Sequence, residues 1–465
     1  MFAAHAERYS RIKNDAFLHP ELIREAGSFG LPDEVVWYER PIVKKIRHLR
    51  AGQWGHALST SDLPRRYLRT VGLPRRTPVS YVGHHEAHAW AGIATSGFDS
   101  AAVIVADAIG EFDCFTIFGY SPESGLRLRY RRRYPHSLGL LYSAFTRRCG
   151  FKPNEDEYIL MGMAAYGQPR HVDDILDTWM SLDTPGYRLT TNVHRGIGDW
   201  LPDARPEDLA ASMQAVTERV LVEAASWARK EIGAPHLILM GGVALNCVAN
   251  SVIAREAGFP HLWIFPNPGD AGSSVGAAAA RLRRALRWDG PYLGTPIQRD
   301  LDIPAVVTSL STDGVAAVAN GAAEFGPRAL GNRSLLADPR PVDMKDRVNR
   351  VKGREKFRPF APVIREELLH EYFDVPVPTT PYMQFTARCR APEAFPAVVH
   401  VDGSSRVQSV SRLEHPVLHE LLRQWETESG CPVLLNTSLN SRGEPLVNTW
   451  REAESFGHRE GVRVH

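Results

Sequence analysis

The sequence predicts an α/β fold, and three observations carry that expectation. Ala101-Ala-Val-Ile-Val-Ala106 and His236-Leu-Ile-Leu-Met240 are unbroken apolar runs, the pattern of strands buried on both faces. Each runs into a glycine turn, Asp107-Ala-Ile-Gly110-Glu111 after the first and Gly241-Gly242 after the second. Between them lie helical segments, the longest starting at Glu207-Asp208 and running to about Ile232. Strands alternating with helices bury their apolar faces in stacked layers.

Length and composition limit the alternatives. A chain of 465 residues is too long for one compact domain, and length alone allows two or three. With 43% hydrophobic and 23% charged residues it has a globular composition, and a formal net charge of +2 gives no global case for a polyanionic partner. The basic charge is local: Lys44, Lys45, Arg47, Arg50, Arg65, Arg66, Arg69, Arg75 and Arg76 fall in one stretch with few acids. Five scattered cysteines without a CxxC pair fit a reducing compartment. Residues 1 to 20 lack a hydrophobic signal core and no apolar run is long enough to cross a bilayer, so the expected location is cytoplasmic, without a membrane partner.

Taken in order, residues 20 to 26 and 33 to 40 are expected helices. Pro78-Val-Ser-Tyr-Val82 is β-branched and aromatic and reads as a strand. It leads into Gly83-His84-His85-Glu86-Ala87-His88-Ala89-Trp90, the opening of a helix that stops near Gly97. His84 and His88 are four apart and share one helical face, a common way to hold a divalent metal; the alternative is a turn that uses histidines as caps or core residues. Asp107, at a strand end before a glycine turn, suits a phosphate, a metal or a plain strand-capping turn. Phe115 to Tyr120 reads as the hairpin partner. In Gly125 to Tyr134 the alternation puts Arg127, Arg129, Arg131 and Arg133 on one face, a row that could track phosphates but is more simply a solvated sheet face.

Ser137-Leu-Gly-Leu-Leu-Tyr142 starts a helix, and Met161 to Gly167 is a glycine-bounded turn. Asp208 reads first as an N-terminal helix residue. Gly241, Gly242 and Asn246 follow a buried strand and precede a helix, where paired glycines admit a phosphate or sugar and helix N–H groups face it. Phe265-Pro-Asn-Pro-Gly269-Asp270-Ala-Gly272 places a second carboxylate on a glycine turn. Either aspartate could complete a metal site with the histidine pair, and the repeated acidic glycine turns suggest an actin-like, two-lobed nucleotide fold.

A basic, Pro- and Gly-rich stretch, residues 286–302, is the expected linker between an N-terminal domain, 1–285, and a C-terminal domain, 303–465. The second domain is dense in motifs: Glu324-Phe-Gly-Pro-Arg328-Ala-Leu-Gly-Asn-Arg333-Ser, Val351-Lys352-Gly-Arg354-Glu-Lys-Phe-Arg358, Asp402-Gly-Ser-Ser-Arg406-Val-Gln408 and Leu435-Asn436-Thr437-Ser438-Leu-Asn440-Ser-Arg442. One such motif could be a structural ion pair; four together are what a polyphosphate or acyl phosphate requires, guanidinium forks on phosphate oxygens with hydroxyls completing the shell.

The ordered set HHEAHAW, DAIGE, SLGLLYSAFT, MGMAAYG, GGVALNC, PGDAG, EFGPRALGNRSLLADPR, KGREKFRPFAP, DGSSRVQ and NTSLNSRGEP resembles the O-carbamoyltransferases of the nodulation-factor, cephamycin and tobramycin group, over nearly the whole chain. The resemblance implies an actin-like (ASKHA) N-terminal domain related to the tRNA threonylcarbamoyl transferases and a YrdC-like C-terminal domain. It implies that carbamoyl phosphate and ATP, with Mg2+, give carbamoyl adenylate, and that the carbamoyl group then passes to an acceptor hydroxyl. His84, His88, Asp107 and Asp270 would hold a divalent metal, expected to be Fe(II). Lys352, Arg358, Arg406 and Asp208 are the expected catalytic residues; Arg328, Lys352, Arg354, Arg358, Arg406, Asn436 and Ser438 are expected at carbamoyl phosphate and ATP; Gly110, Gly241, Gly242 and Asn246 are expected at the adenylate.

Three positions depart from the family pattern. The family opens with a strand pair carrying a Gly-His-Asp-Ser turn before a segment like Ala4 to Asp15, and Met1 stands almost at that segment: either the true start lies upstream, or this member lacks the turn and its histidine and transfer is expected to be slow. The lysine often found before the MGLA-type turn is Ile159, and the tail after Thr449 is short and divergent. The expected acceptor is the hydroxyl of a small metabolite, sugar or nucleotide. The rivals are the same chemistry on a hydroxymethylated pyrimidine in DNA, motivated by the basic stretches, and an inactive nucleotide-binding interaction protein. Oligomers are allowed.

Overall fold

The apolar run at Ala101 forms the strand Ala101–Gly110, whose first seven residues are all buried. In the computed structural model, which describes residues 1–60, 63–74 and 76–465, this strand centres a mixed five-stranded sheet. Its neighbours are Asp113–Ser121, antiparallel and itself paired to Gly125–Arg133, and His236–Met240, parallel and itself paired to His261–Ile264. Two helix pairs pack against it: His84–Ser96 with Ser273–Leu282, and Leu138–Arg148 with Pro206–Ile232. Alternate side chains point to opposite faces, so a strand buried at consecutive positions must be covered on both.

The helix pairs approach closely because small residues line the contact. A Cβ at Gly276 would overlap the Ala87 carbonyl of the facing helix. Val82, Ala87 and Ala277 are buried there, with Val36 and Tyr38 packed against them.

The chain forms two units, Leu18–Trp288 and Met1–Phe17 with Asp289–His465. This differs from the expected 1–285 division. Within the second unit Ala3 N–H donates to Leu293 O (3.0 Å), Tyr9 Oη lies 2.8 Å from Thr295 Oγ1, and buried Arg8 donates to the carbonyls of Glu324 (3.1 Å) and Gly326 (3.2 Å). The expected linker is also structured: Tyr292–Ile297 is a strand, antiparallel to Gly321–Glu324. Proline and glycine obscured it, yet Tyr292 and Ile297 supply the apolar contacts that a β ribbon needs. The main sheet of this unit runs Val315–Ala319, Arg333–Ala337, Val433–Ser438, Ala361–Arg365, Gln408–Val410, with only the last pair parallel.

Other expectations resolve locally. Residues 20 to 26 lie in the helix Pro20–Gly27, with Pro20 in its first turn, where a missing N–H costs nothing. Residues 33 to 40 are not a helix: Val35–Trp37 is a strand pairing in parallel with Val79–Tyr81, as its two valines and tryptophan favour. Met161 to Met163 close the helix Glu157–Met163, so only Ala164–Gly167 forms the expected turn. Ile159 is buried in that helix. Thr449 makes a capping box with Glu452 at the start of the helix Trp450–Glu460. In the arginine-rich strand a register shift falls between the Ile117–Tyr130 and Phe118–Leu128 pairs and breaks the row at Arg129, while Arg131 and Arg133 both approach Asp113 (3.3 and 3.5 Å), a solvated face with its own counter-charge. Arg75 of the basic stretch lies outside the described residues. Among the described residues no helix is long and apolar enough to cross a membrane.

Candidate metal centre and cation cluster

The helix His84–Ser96 begins directly after the strand Val79–Tyr81, which fixes the direction its first turn faces. Its four-residue spacing brings His84 Nε2 and His88 Nε2 to 3.1 Å of each other. Asp107 falls where the pairing register of its strand shifts, between Ala106 and Gly110, a local irregularity of the kind that re-aims a side chain beside a site. Asp107 Oδ2 lies 3.1 Å from His84 Nε2 and 3.7 Å from His88 Nε2. Asp270, on the turn Asp270–Gly272, brings Oδ1 to 3.3 and 3.4 Å of the same two nitrogens. One ligand atom from each of these four residues lies within 4.8 Å of every other.

These separations fit a metal. A four-coordinate ion with bonds of about 2.1 Å keeps neighbouring ligand atoms about 3.4 Å apart. Two imidazole nitrogens facing each other at 3.1 Å cannot both point protons into the gap, whereas both can present lone pairs to one cation. The charges agree. Burial works against charge on His84, but Asp270, Asp107 and Glu39 outweigh it and hold the imidazolium well above the usual histidine range. His88, also buried, is raised by Asp107 and Asp270. Burial favours the neutral carboxyl of Asp107, and the nearby Asp107 charge that of Asp270, yet the histidines hold both below the usual carboxylate range. The cluster therefore takes up positive charge, as protons or as a cation that displaces them. His84 and His88 are fully enclosed while Asp270 is 58% exposed, so the site opens on the Asp270 side.

A carboxylate that belongs to no sequence motif completes the surroundings. Glu39 Oε1 lies 3.4 Å from His84 Nδ1, and its Oε2 accepts from Lys44 Nζ at 2.6 Å. It follows the strand Val35–Trp37, and the pairing of that strand with Val79–Tyr81 delivers it; the Tyr38 ring meets the His84 ring edge-on. His85, one position round the helix, faces elsewhere and pairs with Thr116 Oγ1 at 2.8 Å.

The expected nucleotide turn adjoins this group. Gly241 has φ +88° and sits so tightly on Ala106 that a Cβ would overlap its carbonyl, and Gly242 N–H reaches Asp107 Oδ1 at 3.3 Å. Asn246 is committed within the fold: Oδ1 caps the following helix through Ala249 N–H (3.0 Å) and Nδ2 donates to Gln214 (2.9 Å). Gly110 packs on the His84 ring, where a Cβ would overlap it. Asp208 is buried in the first turn of its helix and accepts the Gln168 N–H at 2.8 Å; among the described residues it is not in the metal-ligating group.

The other unit carries the cation cluster. Lys352 ends the helix Met344–Lys352 and is buried, with Nζ donating to both the carbonyl and the hydroxyl of Ser438 and to the backbone and side-chain oxygens of Asn440. Burial, then Arg354 and Arg358, push its ammonium well below the usual lysine range. Arg354 stacks over Phe360 at 4.2 Å, and Glu355 ties Arg358 (3.5 Å) to Arg442 (2.9 Å). Asn436 Nδ2 donates to Gln408 (2.7 Å), two residues beyond half-buried Arg406, and to the Ala329 carbonyl (3.2 Å), next to half-buried Arg328. Arg333, from the same motif as Arg328, is structural: fully buried, it donates to the carbonyls of Asn320, Thr295 and Asn448, and burial lowers its pKa to about 10.

Two family models match in sequence order, Carbamoyltransferase N-terminus over residues 66–279 and Carbamoyltransferase C-terminus over residues 307–464. The protein sll1178 of Synechocystis sp. is 35% identical over 97% of this chain and 89% of its own length. The chain belongs to the carbamoyltransferase family. Among other members, Nodulation protein NolO of Bradyrhizobium diazoefficiens is 35% identical over 80% of this chain and 75% of that protein. The 3'-hydroxymethylcephem-O-carbamoyltransferase of Streptomyces clavuligerus is 33% identical over 70% and 68%. Full-length HypF in its phosphate- and nucleotide-bound form matches at a TM-score of 0.29 and 14% identity, over 48% of this chain and 45% of that one, too low to carry an argument. As a member of this family the chain is an enzyme, and both models fall on segments that hold the clusters described above.

Proposed function

We propose that this carbamoyltransferase is an O-carbamoyltransferase working in two steps, with an actin-like metal unit and a YrdC-like phosphate unit. The observation that carries the reading is the convergence of His84, His88, Asp107 and Asp270 in one unit, while the Lys352 cluster belongs to the other. In the first step carbamoyl phosphate, water and ATP, with Mg2+, give carbamoyl adenylate, phosphate and pyrophosphate. Arg354, Arg358, Arg406 and Arg328 hold the phosphate oxygens through charged N–H donors and Ser438 completes the shell, while Lys352 positions Ser438 and Asn436 positions the segments that carry Arg406 and Arg328. An anion there also offsets the repulsion from Arg354 and Arg358 that adds to burial in depressing Lys352.

In the second step the acceptor hydroxyl takes the carbamoyl carbon and AMP leaves. A divalent metal of the iron type, held by His84, His88, Asp107 and Asp270, supplies Lewis acidity to the carbamoyl carbonyl when bound. Glu39, 3.4 Å from His84 Nδ1, favours a proton on that nitrogen and so leaves the Nε2 lone pair for the cluster. Gly241 and Gly242 open the backbone beside Asp107 to the adenylate. The acceptor is the hydroxyl of a small metabolite, sugar or nucleotide.

The steps separate by mutation. Arg406→Ala abolishes carbamoyl-phosphate-dependent pyrophosphate release from ATP, and with it transfer. His88→Ala keeps pyrophosphate release and loses transfer. Added carbamoyl adenylate rescues the first variant and not the second. Equal loss of pyrophosphate release in both, with neither rescued, overturns the two-site reading.

A further inference from the structure

A cavity of about 250 Å³ lies beside the helix Pro64–Thr70, lined by Arg65, Arg69 and Arg76 over Val35, Leu68 and Val79. Among the described residues that line it, none is acidic. Arg65 and Arg69 are four apart and share a helical face, where like charges destabilise a helix unless something between them offsets the repulsion. Among the described residues no carboxylate pairs with Arg65, Arg69 or Arg76, whereas Arg40, Arg132 and Arg281 in the same unit each pair with one. Thr77 adds a hydroxyl to the same wall. Three guanidinium groups and a hydroxyl around an apolar floor are the donor set for a tetrahedral oxyanion carried on a small organic body. The volume falls just below the roughly 300 Å³ at which pockets for drug-sized ligands begin, so it suits a phosphorylated sugar-sized molecule and not a polymer.

The cavity is also built onto the strands that lead to the metal centre. Val35 and Val79 are register partners at the start of the parallel ribbon, and the same two segments continue to Glu39 and to His84. At about 3.3 Å per residue this path is at most about 16 Å long. We infer that the Arg65–Arg69–Arg76 cavity binds the phosphate group of a small phosphate monoester, and that this ester is the acceptor. The second half of the inference rests on the O-carbamoyltransferase reading; the first does not.

Calorimetry on the full-length chain tests it, in the Arg406→Ala background so that the other phosphate cluster is weakened. The probes are ribose 5-phosphate, ribose, inorganic phosphate and a short DNA duplex. Ribose 5-phosphate is expected to bind, ribose not, and inorganic phosphate more weakly. Arg65→Gln and Arg69→Gln are each expected to weaken the ester about tenfold or more, Arg69→Lys less, and Arg129→Gln not at all. The ester is also expected to raise the thermal midpoint of the parent and not of the Gln variants, whose circular dichroism verifies their fold. Unchanged affinity in both Gln variants, equal binding of ribose, or duplex DNA that binds more tightly and competes each overturns the site. Binding as expected, but with transfer to a phosphorylated acceptor unaffected by Arg69→Gln in the Arg406-intact enzyme, overturns the acceptor assignment and leaves the site.

Discussion

Glu39 lies 3.4 Å from His84 Nδ1 and does not belong to the metal-ligating group. A carboxylate behind a ligating imidazole sets its tautomer and its basicity, and losing one costs about 10- to 100-fold in metal affinity. Glu39→Gln is therefore expected to weaken metal binding within that range, read by competition with a chelator, while His88→Ala abolishes it; equal behaviour of the two would make Glu39 a ligand and not a support. A second residue-scale prediction concerns His415. Its Nδ1 accepts Leu418 N–H (3.1 Å) as a helix cap, and its Nε2 faces Asn332 Oδ1 (3.1 Å), an orientation fixed because Asn332 Nδ2 donates to Ala322 O (2.8 Å). The neutral Nε2–H form satisfies both contacts, and a second proton would break the cap. Burial lowers this pKa to about 4. The folded value lies below the unfolded one, so the stabilisation is full above about pH 6.5 and is lost as pH falls toward 4, at about 1.4 kcal/mol per pH unit. Urea unfolding at pH 7 and pH 5 is expected to show that loss in the parent, and His415→Asn, which keeps a capping acceptor, is expected to show about 2 kcal/mol less of it.

At the scale of elements, the two helices flanking the metal centre touch through Gly276 and Ala87. Gly276→Val forces a side chain onto the Ala87 carbonyl, which costs roughly 1–3 kcal/mol and shifts the histidine-bearing helix relative to Asp270. Metal affinity is expected to fall more than the helical circular dichroism signal; an unaltered metal titration would mean that the ligand set tolerates the shift. The same elements show what was legible in sequence. The helical spacing of His84 and His88, and the apolar strands ending near Asp107, depend on local periodicity, which a sequence displays. The strand Val35–Trp37 was missed as a helix because three residues give too short a period to read, and with it went Glu39, which only strand pairing carries to His84. Arg333 was legible as part of a motif but not as a buried structural donor, since carbonyl partners leave no mark in a sequence.

At the scale of the whole molecule, the four candidate metal ligands and the Lys352 cluster reside on separate units, and the family models divide at nearly the same place. The motifs made that division readable; the position of the first seventeen residues was not, because they join the second unit through single contacts such as Arg8 to Glu324 O and Arg11 to Leu446 O, which have no periodicity. That excursion orders events during synthesis. Leu18–Trp288 is contiguous and can close as soon as it has been made. The unit that holds Lys352 cannot, because its opening segment is translated before the entire other unit, and its partners Leu293, Thr295, Glu324 and Leu446 come after. Until then Arg8, buried in the finished fold, stays in water, and the unit that holds Lys352 is completed only after Leu18–Trp288 has been translated.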